Sequence, residues 1–202
     1  MLLGFQRLKS VVITVGLKAY LQGPVTPLLQ SCWQHSVACG MIAERAVADG
    51  GLDKDFAYTA GIMHDIGRAA MVTALPRLYA QVIEKEADEP RDLLPREKEL
   101  FGVDHAEAGA SLVKLWNLPG VFLEITSRHH DFPAHVDGMT SVVASSCMMA
   151  DALGFGMMKY RAGRSYEEIL SWLPEVARKG FPKEPEALAG EIANEIRVIE
   201  TV

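Results

Sequence analysis

Apolar residues recur along this chain at spacings of three and four, and period-two alternation bounded by hairpin turns is hard to find. The pattern predicts an all-α fold. The first apolar stretch, Phe5 to Leu21, carries a β-branched run (Val11, Val12, Ile13, Thr14, Val15) that fits a strand locally, but its length favours a buried helix ended by Gly23-Pro24. A second helix is expected from about Thr26 to Asp49, closed by Gly50-Gly51, with His35 in its middle. Asp53 suits the N-cap of a third helix carrying Phe56, Ala60, Met63 and His64, and Gly67 beyond it allows a close backbone approach.

A further helix is expected from about Ala74 to Ala87, and the charged stretch from Asp88 to Lys98 reads as a surface connection or short helix. Asp104 can cap a helix that begins with His105, and Pro119 fits the first turn of the next, which ends near His129-His130-Asp131. An apolar helix from Met139 to about Leu153 follows, then amphipathic segments from Ser165 to Lys179 and from Glu184 to Ile199.

Composition narrows the class. With 202 residues, about half of them apolar, one generous domain or two small ones can bury a sizeable core. A net charge of −6 argues against a nucleic-acid partner held by phosphate neutralisation. The three cysteines, Cys32, Cys39 and Cys147, are odd in number and lack Cys-x-x-Cys spacing, which suggests a reducing, cytoplasmic setting and neither a disulfide framework nor a zinc ribbon. No window reads as a secretion leader or a membrane span.

The candidate chemistry lies in the histidines. Five of the six are His35, His64 (followed by Asp65), His105 and the pair His129-His130, and a late aspartate, Asp151, sits in another helical segment. Neutral imidazole and carboxylate are ordinary ligands of divalent first-row metals, and seven such groups exceed the needs of one ion. Two ions sharing a carboxylate, about 3.5–4 Å apart, could polarise a phosphoryl group and activate a water. Each residue also has a structural reading. A lone helical histidine is most often a hydrogen-bonded core residue, and His135 beside Pro133 is read that way. His64-Asp65 gains weight from its apolar setting, Thr59-Ala60-Gly61-Ile62-Met63, which would bury both groups unless something pairs them. His129 and His130, as neighbours on a helix, project about 100° apart, so converging them on one ion requires a frayed helix end or two rotamers. Cys32 and Cys39 share a face with His35, which could suggest soft ligands; they are read instead as small core residues, and Met148, Met149, Met157 and Met158 as gap fillers.

In order, His35-Ser36-Val37-Ala38, His64-Asp65-Ile66-Gly67, Gly102-Val103-Asp104-His105-Ala106-Glu107-Ala108-Gly109, His129-His130 and Ala150-Asp151-Ala152-Leu153 resemble the HD superfamily of metal-dependent phosphohydrolases. The likeness is closest to its HDOD branch, supported by Leu3-Gly4-Phe5-Gln6-Arg7-Leu8-Lys9-Ser10 and Leu115-Trp116-Asn117-Leu118-Pro119. It covers about residues 1 to 155, which implies an HD-type helical bundle there, with residues 156–202 as C-terminal helices packed on the same domain. The family pattern places a further helical subdomain before Leu3-Gly4, and it is apparently absent from this chain.

The resemblance implies that His35, His64, Asp65 and Asp151 hold one metal while Asp65 bridges to a second held by His105, His129 and His130, as in the related HD-GYP phosphodiesterases. Iron, manganese or nickel are the implied ions. Arg68 stands where the family often has lysine, which keeps a fixed positive charge for a phosphate oxygen but removes a proton donor. Asp131-Phe132-Pro133 follows the histidine pair in place of Gly-Tyr-Pro, so cyclic-di-GMP specificity is not implied. Two functions follow as expectations: a dinuclear phosphohydrolase or phosphodiesterase of bacterial signalling, acting on a phosphorylated small molecule or nucleotide with Asp65 and Arg68 as catalytic groups; or a non-catalytic signalling module with a structural or vestigial metal, binding protein partners. A mixed-valent iron oxygenase is a minor third. Exposed apolar residues on the Phe5–Leu21 helix would further predict a homodimer.

Overall fold

The computed structural model describes residues 26–47, 51–86, 93–135, 138–157 and 163–200, and among these there is helix and no strand. The expected Phe5–Leu21 helix, and the self-association argued from it, lie outside the described residues.

Helix α1 (Pro27–Ala46) is the axis of the bundle. Thr26 caps it by accepting from the Leu29 amide at 3.2 Å, and Pro27 starts it with its φ already helical. Burial on almost every side lets it feed three apolar clusters: Leu29 and Cys32 pack with Met71, Val72 and Tyr79; Trp33, Val37 and Ile42 pack with the C-terminal helices; and Ala43 and Val47 pack with Phe122, Ile125 and Val143.

Asp53 caps α2 (Lys54–Met63) through the Phe56 amide at 2.8 Å. The helix expected to carry His64 ends with His64 as its C-cap, Asp65 breaks the path with φ −106° and ψ 23°, and a separate helix, α3 (Ile66–Ala74), begins after it. Helix α4 (Pro76–Glu86) follows at once. The charged stretch read as a surface connection ends in α5 (Leu93–Phe101), whose Leu93 and Glu97 are buried. Helix α6 (His105–Leu115) opens with a full capping box, Asp104 accepting from the Glu107 amide and Glu107 from the Asp104 amide.

Helix α7 (Gly120–Arg128) stops at His129, and α8 (Gly138–Ala150) widens into a π-type turn over Asp151–Phe155, closed by Gly154 at φ 89°. The expected Ser165–Lys179 helix divides into α9 (Tyr166–Trp172) and α10 (Glu175–Arg178), because Pro174 holds Leu173 extended. Helix α11 (Pro185–Glu200) buries Leu188, Ile192, Ile196 and Ile199 in the same cluster as Trp33 and Val37. No helix among the described residues is long and apolar enough to cross a membrane.

Candidate metal centre

Two glycines bring the helices close enough to gather the histidines. A Cβ on Gly61 would lie 2.6 Å from Gly40 N and Cα, so α2 touches the backbone of α1 and delivers His64 beside His35. A Cβ on Gly67 would lie 2.0 Å from the His105 carbonyl oxygen and 2.3 Å from Gly109 N, so α3 lies directly on α6. His105 is the first residue of α6, while His129 closes α7 and His130 follows in the turn. That helix end resolves the 100° divergence of adjacent side chains. The imidazoles form a continuous run, with ring centroids 5.4 Å apart for His35 and His64, 4.8 Å for His64 and His129, 4.3 Å for His129 and His130, and 4.8 Å for His130 and His105.

Their outer nitrogens are tied down. His64 Nδ1–H donates to the Gly61 carbonyl at 2.6 Å, His129 Nδ1–H to the Thr126 carbonyl at 3.0 Å, His35 Nδ1–H to the Phe155 carbonyl at 3.2 Å, and His105 Nδ1–H to Glu97 Oε2 at 2.6 Å. This is how proteins orient metal-binding imidazoles, since a bond at one ring nitrogen fixes the tautomer and turns the other inward. His64 Nε2 and His129 Nε2 are buried without a hydrogen-bond partner, an arrangement that costs free energy unless something else takes the lone pair. These donors fit a divalent ion.

Asp65 is buried at the middle. His105 Nε2 lies 3.5 Å and His129 Nε2 3.9 Å from its Oδ1, and Arg68 Nε pairs with its Oδ2 at 2.9 Å. The same guanidinium reaches on, with Nη2 donating to His105 Nε2 at 2.9 Å and standing 3.4 Å from His130 Nε2. Arg68 therefore occupies the position between Asp65, His105 and His130 that the family resemblance gives to a second metal. Behind His105, the fully buried Glu97 also accepts from the His105 amide at 2.8 Å and from the Tyr79 hydroxyl.

Electrostatics follow from this packing. Burial would raise the Asp65 pKa, but Arg68 first, and then the surrounding imidazoles, hold its carboxyl well below the usual carboxylate range. Burial, reinforced by His130 and His64, holds His129 well below the ordinary histidine value and keeps it neutral. Glu97 is lowered because hydrogen bonds from His105 and Tyr79 and the nearby positive charges outweigh its burial. His35 lies against the Sγ atoms of Cys39 and Cys147, 3.5 Å from each. Burial works against its charging, yet the Cys147 thiolate, with Asp151 behind, raises it to about 9. Cys147 is correspondingly lowered, by the Cys39 thiol and His35 against its burial.

Three overlapping groups of side chains bring their donor atoms within 4.8 Å of one another: His35, Cys39, His64 and Cys147; His64, Asp65 and His129; and His105, His129 and His130. Six of the seven expected residues are thus gathered. Asp151 stands at the margin, with its side chain 47% exposed and its Oδ1 3.5 Å from His35 Nδ1, on the ring edge opposite the cysteines. Arg68 is buried against Asp65. Sequence reasoning passed over Glu97 and Tyr79, and it read Cys39 as core; the spacing of His35 to Cys39 and of Cys147 to Asp151, one helical turn each, is the only local signal for the cysteines.

The HDOD domain model matches residues 1–132. Ribonuclease Y of Thermus thermophilus is 27% identical over 172 residues, 84% of this chain and 24% of that protein, and the chain spans about a quarter of the length of the curated relatives it matches. Among solved structures, an HDOD domain protein of unknown function from Geobacter sulfurreducens superposes with a TM-score of 0.69 at 23% identity, covering 98% of this chain and 70% of that one. A candidate phosphohydrolase from Shewanella amazonensis superposes with a TM-score of 0.64 at 24% identity, covering 95% and 69%. At these identities the likeness establishes the fold.

Proposed function

Because the chain belongs to the HDOD domain family, we propose that its buried histidine-aspartate centre holds divalent metal and serves phosphoester hydrolysis, the phosphodiester being the favoured bond. The observation that carries this reading is a fully buried carboxylate ringed by imidazoles, two of which keep inward-facing, unpartnered Nε2 atoms. In this reading Asp65, His105, His129 and His130 serve one position and His35 and His64 its neighbour, with Asp151 supporting His35. Metal at the centre would supply Lewis-acid polarisation of the phosphoryl group and a water of lowered pKa.

The protein's own groups do the rest. Asp65 stays ionised beside Arg68 and supplies the negative charge that both positions share. His129 stays neutral, so its Nε2 lone pair remains available. Arg68 offers a fixed positive charge to a phosphoryl oxygen as charge develops there, and it cannot give up a proton. The names of a ribonuclease relative and a phosphohydrolase neighbour favour the same bond class, while the net charge of −6 favours a small substrate over long nucleic acid.

Arg68 also motivates the rival reading, a signalling module with a single or vestigial metal and a protein partner. Its guanidinium already serves His105 and His130, so a second ion must displace it. One comparison separates the two. Metal-loaded protein should hydrolyse an activated phosphodiester, a cyclic dinucleotide or a short RNA at a rate that Asp65→Asn lowers at least a hundredfold. Full metal occupancy with no turnover on any of them would leave the module reading.

A further inference from the structure

Beside the aspartate-centred group, and sharing His64 with it, the structure places two cysteines against two histidines in the core. His35 and Cys39 stand one turn apart on α1, Cys147 approaches from α8, and His64 projects from the end of α2; the four donor atoms lie within 4.8 Å of one another. We propose that Cys39 and Cys147 are metal ligands, forming with His35 and His64 a closed Cys2His2 site for one thiophilic, tetrahedral ion of the zinc or ferrous class.

The geometry argues for it in three ways. Tetrahedral zinc, with Zn–S about 2.3 Å and Zn–N about 2.0–2.1 Å, requires a sulfur-to-nitrogen separation of about 3.6 Å. His35 Nε2 lies 3.5 Å from each of the two Sγ atoms. His64 Nε2 is the remaining donor, on a residue 1% exposed and with no hydrogen-bond partner of its own. Each imidazole is already oriented from behind, His35 by the Phe155 carbonyl with Asp151 nearby and His64 by the Gly61 carbonyl. The third cysteine shows the contrast: Cys32 donates to Met157 Sδ at 3.1 Å and belongs to none of these groups.

Such a site would be structural. Four protein donors complete a tetrahedral shell and leave no position for substrate, whereas the Asp65 side keeps the mixed oxygen and nitrogen character that suits hydrolysis. The site would tie α1, α2 and α8 together at the point where α2 ends. It takes His35 and His64 from the second position of the hydrolytic reading, so with this site filled that reading rests on a single ion at Asp65, His105, His129 and His130.

Cobalt(II) substitution of the full chain tests it. The reduced protein loaded with one equivalent should show a thiolate-to-cobalt charge-transfer band in the near ultraviolet and intense tetrahedral d–d absorption. Cys39→Ser and Cys147→Ser should each weaken the band and loosen cobalt at least tenfold, while Cys32→Ser and Asp65→Asn should keep it. Bound metal should also protect two of the three thiols from alkylation. Cobalt binding to the wild type without the charge-transfer band would overturn the proposal, even if the serine variants failed to fold. So would a Cys39–Cys147 disulfide that persists in the reduced protein, or a band unmoved by both substitutions. A band with no phosphoesterase activity once further metal is added would keep the thiolate site and remove the hydrolytic reading.

Discussion

His129 and Asp65 carry opposite demands in one buried space, and their protonation should be measurable as stability. His129 is held below its unfolded value of about 6.5, so as pH falls the unfolded chain takes up that proton while the folded chain resists. His129 should therefore take stability away between pH 6.5 and 5, by up to about 1.4 kcal/mol per pH unit for one fully shifted group. Asp151, raised to about 6 by burial against the pull of His35, acts within this interval and in the opposite sense. The folded chain takes up its proton below about 6, while the unfolded chain does so only at about 4. His35, raised to about 9, gives stability that is complete below 6.5 and lost as pH rises through 9. Asp65, with its pKa depressed, gives stability present above about 4 and lost below it. Denaturant midpoints in chelator at pH 6.5 and 5, compared between the wild type and His129→Asn, check the claim; an unchanged slope in the variant would refute it. At this scale the sequence was readable where residue type announces chemistry, as with the histidines and Asp65. Glu97 in a run of charges and Cys39 on an apolar helix look ordinary, because their partners His105 and Cys147 arrive only through tertiary packing.

The centre depends on helices that approach backbone to backbone, and here the glycines decide. The expectation that Gly67 permits close approach is met by α3 on α6, where a methyl group would collide with the His105 carbonyl and the Gly109 amide, atoms that cannot swing aside. Gly67→Ala should destabilise the protein by about 3 kcal/mol and weaken metal binding by separating Asp65 from His105, whereas Gly120→Ala, with nothing within 4 Å of its added Cβ, should be nearly neutral. Melting temperatures with metal titrations of the two variants make the comparison, and equal behaviour would show that α3 can move away at little cost. Caps at Asp53 and Asp104 were legible because a cap is a local hydrogen bond. The break at His64-Asp65 and the buried face of α5 were not. Periodicity reports which residues are apolar, and it carries no sign that a helix must stop to aim an aspartate or that one glutamate in a charged run turns inward.

For the whole molecule, the apolar clusters and the metal centre make separable contributions. Three clusters meet on α1, and each is built from apolar side chains that do not bond to the histidines: Phe122 and Val143, Leu29 and Val72, Leu188 and Ile196. That distribution is why the helical class was legible from hydrophobic spacing alone. It also implies that the chain folds without metal, unlike small domains whose core is the ion. Metal should then act as a ligand of the folded state. At a concentration a hundredfold above its Kd, an ion that ignores the unfolded chain adds about 2.7 kcal/mol, which for a protein of this size raises Tm by roughly 5–10 °C. Chelator-treated protein should keep its helical circular dichroism and melt cooperatively at the lower temperature, and zinc or manganese should restore the higher one. If removal of metal instead collapsed the helical signal, the bundle would owe its fold to the centre. If Tm did not respond to any divalent ion, the inward-facing nitrogens of His64 and His129 would have to be accounted for without metal.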